Sequence, residues 1–316
     1  MQKIAIEDAR IAGIAACVPK NAVANEAKVA AATGIVTRRI AAEGTTVVDL
    51  CVKAAERALS DTGAKPEAFG AILFVSFTQP NRMPAAACEA QARLGFPKDV
   101  IAFDVSLACS GWGYGLYLAA LLARQTGKKA LLLDGDVQSA YATDDSTAPL
   151  LGDAGTATVI ENCSDCSNVR LPWQFGFAAD GERRDALKLE DGESIRMDGF
   201  GVFKFVATDV VSYIKDFLSA ANRTIEQSDN RTMTFVPHQP NVYMVRQLAK
   251  SVGIEETRTA VSCDELGNLS SASVPTTIAW KGVRGPVLFA GFGGGLSVSV
   301  GLVDIDEGCK LSVIEA

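Results

Sequence analysis

The stretch "DVSLACSGWGYG", residues 104–115, sets a cysteine behind an apolar run that reads as a strand and before one that reads as a helix. Cys109 therefore falls at a helix start, where unpaired N–H groups and the macrodipole favour negative charge. A thiolate held there has a lowered pKa and is a competent nucleophile. Gly111, Gly113 and Gly115 alternate through the same start, although glycine costs roughly 1 kcal/mol relative to alanine in a helix. Such spending makes sense where a helix must press on another backbone or on a ligand. His238, the one histidine in the chain, stands in "FVPHQPN" between a strand and the helix "NVYMVRQLAKSVG", with Pro240 suited to a helix start. Asn268 lies in "ELGNLSSASVP", and "GFGGG", residues 291–295, offers backbone N–H groups with little obstruction. That glycine run fits a hairpin, a phosphate cradle or half of an oxyanion hole, and it lacks the lysine and following helix of a P-loop. Plainer uses exist for the others: a buried core cysteine, a satisfied core histidine, a turn or cap asparagine.

Strand-like and helix-like runs alternate around these residues, the pattern of an α/β fold. "VVDLCVKAAERALSDTG" reads as an amphipathic helix closed by Gly63 and followed by the strand "AILFVSFT"; "GLYLAALLARQTG" and "KKALLLDGD" repeat that order. The order of elements then recurs at an offset of about 160 residues. "AILFVSFTQP" has a counterpart in "TMTFVPHQP", "ACSGWGYG" in "GNLSSASVP", and "ALLLDGD" in "VLFAGFG". The expected organisation is two duplicated halves, 1–165 carrying the cysteine and 166–316 carrying the histidine and asparagine. Cys109, His238 and Asn268 each follow a strand or sit in its turn, the place where open α/β sheets bind ligands. The N-terminal "MQKIAIEDARIAGIAACVP" reads as a first strand; Glu7 and Asp8 stand where a signal peptide needs positive charge.

Composition excludes several classes of function. A chain of 316 residues with 48% apolar content can bury a large core. Its net charge of −7 argues against nucleic acid as a partner. Runs such as "AILFVSF" are far shorter than the roughly 20 residues needed to cross a bilayer. The eight cysteines are too scattered for a disulfide framework, which points to a reducing cytoplasm. Cys163 and Cys166 form one C-x-x-C pair, yet a four-ligand zinc site needs a second pair, so no metal is expected.

In that order and at those separations, "ACSG", "VPHQPN", "GNLSSASVP" and "GFGGG" resemble β-ketoacyl-acyl carrier protein synthase III, within the thiolase-like condensing enzymes. The resemblance implies a layered αβαβα fold of two duplicated halves, usually a homodimer, and no cofactor. It implies that Cys109 accepts the acyl group, that His238 and Asn268 polarise a malonyl thioester, and that the Gly294 N–H joins that of Cys109 in the oxyanion hole. Gly199, Phe203, Asn241 and Phe292 match residues lining a pantetheine channel. Met83 matches a bulky residue that crosses the dimer interface to close the acyl pocket, with Phe77 near it. Lys204, Arg246 and Lys250 would form a basic rim for an acidic acyl carrier protein.

Two features depart from the pattern. Gly291 stands where thiolases carry an acid/base cysteine, which disfavours proton-abstracting condensation. Neither half of the family's adenine clamp is present: the tryptophans are at 112, 173 and 280 only, and the arginine position reads Asp145. The starter is therefore expected to be something other than an ordinary short acyl-CoA, or CoA to bind in another pose. Decarboxylative condensation is the expected reaction, with acyl transfer to a non-malonyl nucleophile as the alternative.

Overall fold

The computed structural model describes residues 3–142, 144, 146–163, 171–226 and 233–316, with only the backbone of 220–226. Two sheets form its frame. One runs in the order Lys310–Glu315, Ala9–Val18, Ala154–Asn162, Lys129–Asp136, Phe69–Val75, Ile101–Val105. The other runs Lys3–Ile6, Trp173–Ala179, Ser297–Ile305, Gly285–Gly293, Thr234–Pro237. Each holds the same core pairing. Phe69–Val75 is parallel to Lys129–Asp136, which is antiparallel to Ala154–Asn162. Thr234–Pro237 is likewise parallel to Gly285–Gly293, which is antiparallel to Ser297–Ile305. The strands that correspond in space are those that correspond in sequence.

A cut between residues 165 and 166 does not separate the two sheets. Lys3–Ile6 pairs with Trp173–Gly176 in the second sheet, while Lys310–Glu315 lies beside Gly13–Val18 in the first. The N-terminal segment read as a single strand is thus two strands, in different sheets, parted at Glu7 and Asp8. Carboxylates are costly to carry through an apolar interior, and the break at this pair lets the chain pass from one half to the other.

Helices make the remaining three layers. Val47–Thr62 and Ala86–Arg93 cover the outer face of the first sheet, and Val211–Glu226 and Val242–Val252 that of the second. Thr46 and Asp49 form a reciprocal capping box at the start of Val47–Thr62, and Gly63 closes it with φ 65°. Between the sheets lie Gly111–Thr126 and its counterpart Ser273–Lys281. Trp112 joins the layers: its ring meets Phe289 of the second sheet edge-on at 5.1 Å, and its N–H donates to Thr158 Oγ1 of the first at 3.3 Å.

The close approach explains the glycines. A Cβ on Gly113 would lie 2.7 Å from Ser299 Cβ and 2.8 Å from the Phe289 ring, and one on Gly115 would lie 2.6 Å from Leu132. Gly113→Ala therefore sets two effects against each other: a gain of about 1 kcal/mol in helix propensity and an overpacking cost of about 1–3 kcal/mol. Because Ser299 Cβ is fixed to a strand, the cost should win. We expect a lower thermal midpoint for Gly113→Ala by calorimetry, and an equal or higher one would contradict the tight seating of this helix.

Candidate active site

The parallel strands of both sheets end at one place. Phe77 and Gln79 follow Val75, Ser106 to Cys109 follow Val105, and Gln138 follows Asp136; with Asn268, Gly294 and Gly295 they line a cavity of about 790 Å³. Cys109 is 8% exposed, and its Sγ lies 3.9 Å from Ser270 Oγ. Its backbone is seated against the glycine run. A Cβ on Gly291 would fall 2.8 Å from the Cys109 carbonyl oxygen, and one on Gly293 would fall 2.9 Å from Cys109 Cβ. The absence of a side chain at 291 is thus also a packing requirement.

His238 follows Thr234–Pro237 and is fixed from three directions. Its backbone N–H donates to the Ala290 carbonyl at 2.7 Å, its ring meets Phe292 edge-on at 5.3 Å, and the Ser270 backbone lies close enough to the ring to favour its charged form, while Nδ1 is buried without a hydrogen-bond partner among the described residues. It does not line the large cavity itself but is linked to it through Ser270. Burial drives the imidazole pKa down to about 3, with the Ser270 contact opposing, so the ring is neutral near pH 7. Asn268 is held by its backbone: its N–H donates to Leu150 O at 2.8 Å, and its carbonyl accepts from Gly152 N–H at 2.9 Å and Gln138 Nε2 at 2.7 Å. Its Oδ1 accepts the Ser270 N–H at 2.9 Å. The amide NH₂ is the donor left for a ligand.

Cysteine, imidazole and carboxamide thus converge on Ser270, a fully buried residue with φ 52°. Behind it, Asp136 Oδ1 accepts from Ser76 Oγ at 2.8 Å, Phe77 N–H at 2.9 Å and Thr78 Oγ1 at 3.1 Å. Sequence reading missed Ser270, Asp136, Asp134 and Gln138. Their signal was present as polar residues closing the apolar strand "ALLLDGD" and as the serine run of "GNLSSASVP".

The ionisation expected of Cys109 is corrected. Burial pushes its thiol up to about 12, helped by the nearby Asp136 charge and opposed by Ser270. The Ser270 hydroxyl and the Cys109 backbone N–H lower it by less than burial raises it, which favours the thiol at rest.

A family model described as 3-oxoacyl-[acyl-carrier-protein] synthase III matches residues 103–177, and one for its C-terminal part matches 223–305. The chain is 30% identical over 289 residues to the β-ketoacyl-[acyl-carrier-protein] synthase III of Acholeplasma laidlawii, covering 89% of this chain and 90% of that one. The chain belongs to the β-ketoacyl-[acyl-carrier-protein] synthase III family. Membership makes it a condensing enzyme of the synthase III type. The crystal structure of a 3-oxoacyl-(acyl-carrier protein) synthase from Burkholderia xenovorans LB400 superposes with a TM-score of 0.90 at 31% identity, over 100% of this chain and 99% of that one. The priming β-ketosynthase of the R1128 polyketide pathway superposes with a TM-score of 0.81 at 27% identity, over 95% and 98%. These likenesses agree with the αβαβα architecture.

Other residues that match family positions are placed unevenly. Phe292 is buried against His238 and does not line the cavity. Asn241 caps the helix Val242–Val252, its Oδ1 accepting the Met244 N–H at 2.8 Å, so Pro240 precedes the cap and lies outside the helix. Gly199 opens the short helix Gly199–Phe205, and Phe203 on it is exposed; neither lines the cavity. Met83 is 86% exposed and also outside the lining of its own cavity. Arg246 pairs with Glu256 at 2.7 Å and shares a shallow groove with Lys250, Glu255 and Glu256, while Lys204 is exposed on the preceding helical segment. Asp145 and Cys166 lie outside the described residues, and Cys163 is disulfide-bonded. Among the described residues no group of three or more His, Cys, Asp or Glu is placed to hold a metal ion, and no helix is long and apolar enough to cross a membrane.

Because the chain has one histidine, its titration is directly readable. A ring with a folded pKa of about 3, against roughly 6.5 unfolded, binds no proton on the way down to pH 5. The unfolded chain does bind one, so this residue's stabilising contribution is complete above pH 6.5 and is lost progressively as pH falls towards 3. We expect the imidazole ¹³Cε1 shift to stay flat between pH 8 and 5; a midpoint near 6.5 in the folded protein would contradict the buried, neutral assignment.

Proposed function

We propose that Cys109, His238 and Asn268 divide two half-reactions of decarboxylative condensation, in fatty-acid or polyketide-type synthesis. The observation that carries this reading is the convergence of a buried thiol, a neutral imidazole and a free amide NH₂ on Ser270. In the first half, Cys109 Sγ attacks the starter thioester while the backbone N–H groups of Cys109 and Gly294 hold the oxyanion. The carrier thiol leaves with the proton and an acyl-cysteine remains. In the second, a malonyl thioester docks with its oxygen towards the His238 N–H and the Asn268 amide. The bond to the carboxylate breaks, carbon dioxide departs, and the electron pair becomes an enolate that attacks the acyl-cysteine carbonyl. Cys109 leaves as the sulfur anion and takes up a proton from solvent, and a 3-oxoacyl thioester is released.

Decarboxylation makes the carbanion directly, so the site needs aimed neutral donors and no strong base. A histidine whose pKa is near 3 suits that task. Acyl transfer to a non-malonyl nucleophile is not favoured, since this donor pair would then have no work.

Several features support a carrier protein as the source of the starter. Trp112 and Trp173 are each 1% exposed in the core, and Trp280 has the Arg39 guanidinium 5.8 Å from its ring centroid, so none stands ready to stack on adenine. Lys204 and Lys250 remain as basic contacts for an acidic carrier, Arg246 being paired with Glu256. Among the described residues Ile101–Val105 ends its sheet with one edge unpaired. Together with the exposed Met83 it supports a homodimer in which Met83 of a second copy closes the acyl pocket. The six free cysteines among the described residues support a reducing cytoplasm, against which stands the disulfide-bonded Cys163.

Separate assays of the halves test the division. We expect His238→Ala and Asn268→Ala to self-acylate within about threefold of wild type and to lose carbon dioxide release from malonyl carrier by about 100-fold or more, the size typical of losing a transition-state donor. Equal loss of both half-reactions in His238→Ala would contradict the assignment. Saturable acylation by acetyl-CoA at micromolar concentration would overturn the carrier-protein preference.

A further inference from the structure

The condensation reading leaves open what receives the Cys109 proton when sulfur attacks. Burial holds the thiol near 12 and the imidazole near 3, so the sulfur is not ionised at rest and His238 is a poor base. The polar side-chain atom in contact with Sγ is Ser270 Oγ, at 3.9 Å. The Ser270 hydroxyl in turn lies close enough to the Asp136 carboxylate to favour its charged form, and Asp136 Oδ2 accepts the neighbouring Ser271 hydroxyl at 3.4 Å. Asp136 is fully buried, and the three donors already on its Oδ1 fix its orientation. Ser270 reaches this position through left-handed backbone, φ 52°, uncommon for a residue with a side chain and concentrated at functional sites. Polar oxygens thus lead from the nucleophile, by way of Ser270, towards Asp136 of the first sheet.

We propose that Ser270 is a catalytic residue that receives the Cys109 proton while passing its own to Asp136, which acts through it as the terminal acceptor. This rests on Cys109 being the nucleophile. As the S–C bond forms, the carbonyl π pair moves onto oxygen, the S–H bond breaks, and the proton goes to Ser270 Oγ. The Ser270 hydroxyl proton moves in the same step to Asp136. When the tetrahedral species collapses, the bond to the carrier sulfur breaks. That sulfur takes a proton back through Ser270, and Asp136 is again a carboxylate. No other reactant is consumed.

Burial raises the Asp136 carboxyl to about 6, leaving it ionised yet more basic than an exposed aspartate at pH 7. The titratable groups whose charges reach it are Asp134 on its own strand, Cys109 at the head of the central helix and Cys51 from the outer helix. Burial raises all three as well, so the two thiols are neutral near pH 7 and the Asp134 carboxyl is held well above the usual carboxylate range. The relay is therefore open above about pH 6 and closes below it as Asp136 gains a proton.

Alkylation of Cys109 by iodoacetamide in the full-length protein, followed by peptide mass spectrometry from pH 5 to 9, reads the relay without any acyl or malonyl chemistry. Failure of the condensation reading would leave this result intact. The unmutated protein should show an inflection near pH 6. Ser270→Gly keeps the left-handed backbone without the hydroxyl, and Asp136→Asn keeps the side-chain shape. Both should react at least tenfold more slowly at pH 7.5 and lose the inflection, whereas Ser271→Ala, a neighbour on the same carboxylate, should keep it. A wild-type profile with no inflection near pH 6 overturns the relay without recourse to any variant. So does a folded Ser270→Gly protein, judged by circular dichroism, that reacts at the wild-type rate.

Discussion

The structure depends on two stretches of backbone touching where no side chain intervenes. Cys109 and Ser110, at the head of the central helix, rest against Gly291 and Gly293, so close that a single added carbon would fall within 3 Å of the Cys109 backbone or its Cβ. One partner belongs to each half of the duplication. Their contact turns two similar sheets into one site, and the same nearness requires Gly113 and Gly115 to press the helix onto both sheets. The exchange of terminal strands, Lys3–Ile6 into one sheet and Lys310–Glu315 into the other, fastens the halves a second time at their far edges.

Seating the nucleophile at that junction has two electrostatic consequences. Loss of water lowers the pKa of His238 and makes it a neutral donor, which decarboxylation needs, and the same loss raises that of the Cys109 thiol, which acylation does not need. A wholly apolar junction would leave the second effect uncorrected. This one carries a seam of hydroxyls and carboxyls, with Ser76, Thr78, Ser270 and Ser271 gathered around Asp136. Hydroxyl donors on a buried carboxylate act more strongly in a low-dielectric interior than at a surface. The left-handed Ser270 is where the seam reaches the sulfur.

Much of this was legible in the sequence because it is repeated or local. The paired strand motifs announced the duplication, and the alternating glycines announced a helix start under pressure. The order of the motifs placed Cys109 and His238 behind strands, where they are found, whereas Asn268 follows the short helix Cys263–Leu266 and not a strand. What stayed hidden depends on burial. No window around Cys109 reveals that both sheets seal it from water, so the macrodipole looked decisive there when desolvation is the larger effect. Phe292, expected in the substrate channel, packs on His238, a contact set by tertiary fold. The capping role of Asn241 was readable, since an asparagine before "VYMVRQLAKSV" is a strong N-cap signal, but the family pattern drew attention to its amide. The break in the first segment is marked by Glu7 and Asp8, whose charges speak against a signal peptide and equally mark the end of a strand.

The most direct test is the chemical state of one sulfur. Incubating the protein with an acyl carrier thioester and mapping the adduct by peptide mass spectrometry should show one acyl group per chain, carried on Cys109 and blocked by prior alkylation of that residue. Acylation at any other residue, or none under conditions where malonyl carrier still loses carbon dioxide, would contradict the account.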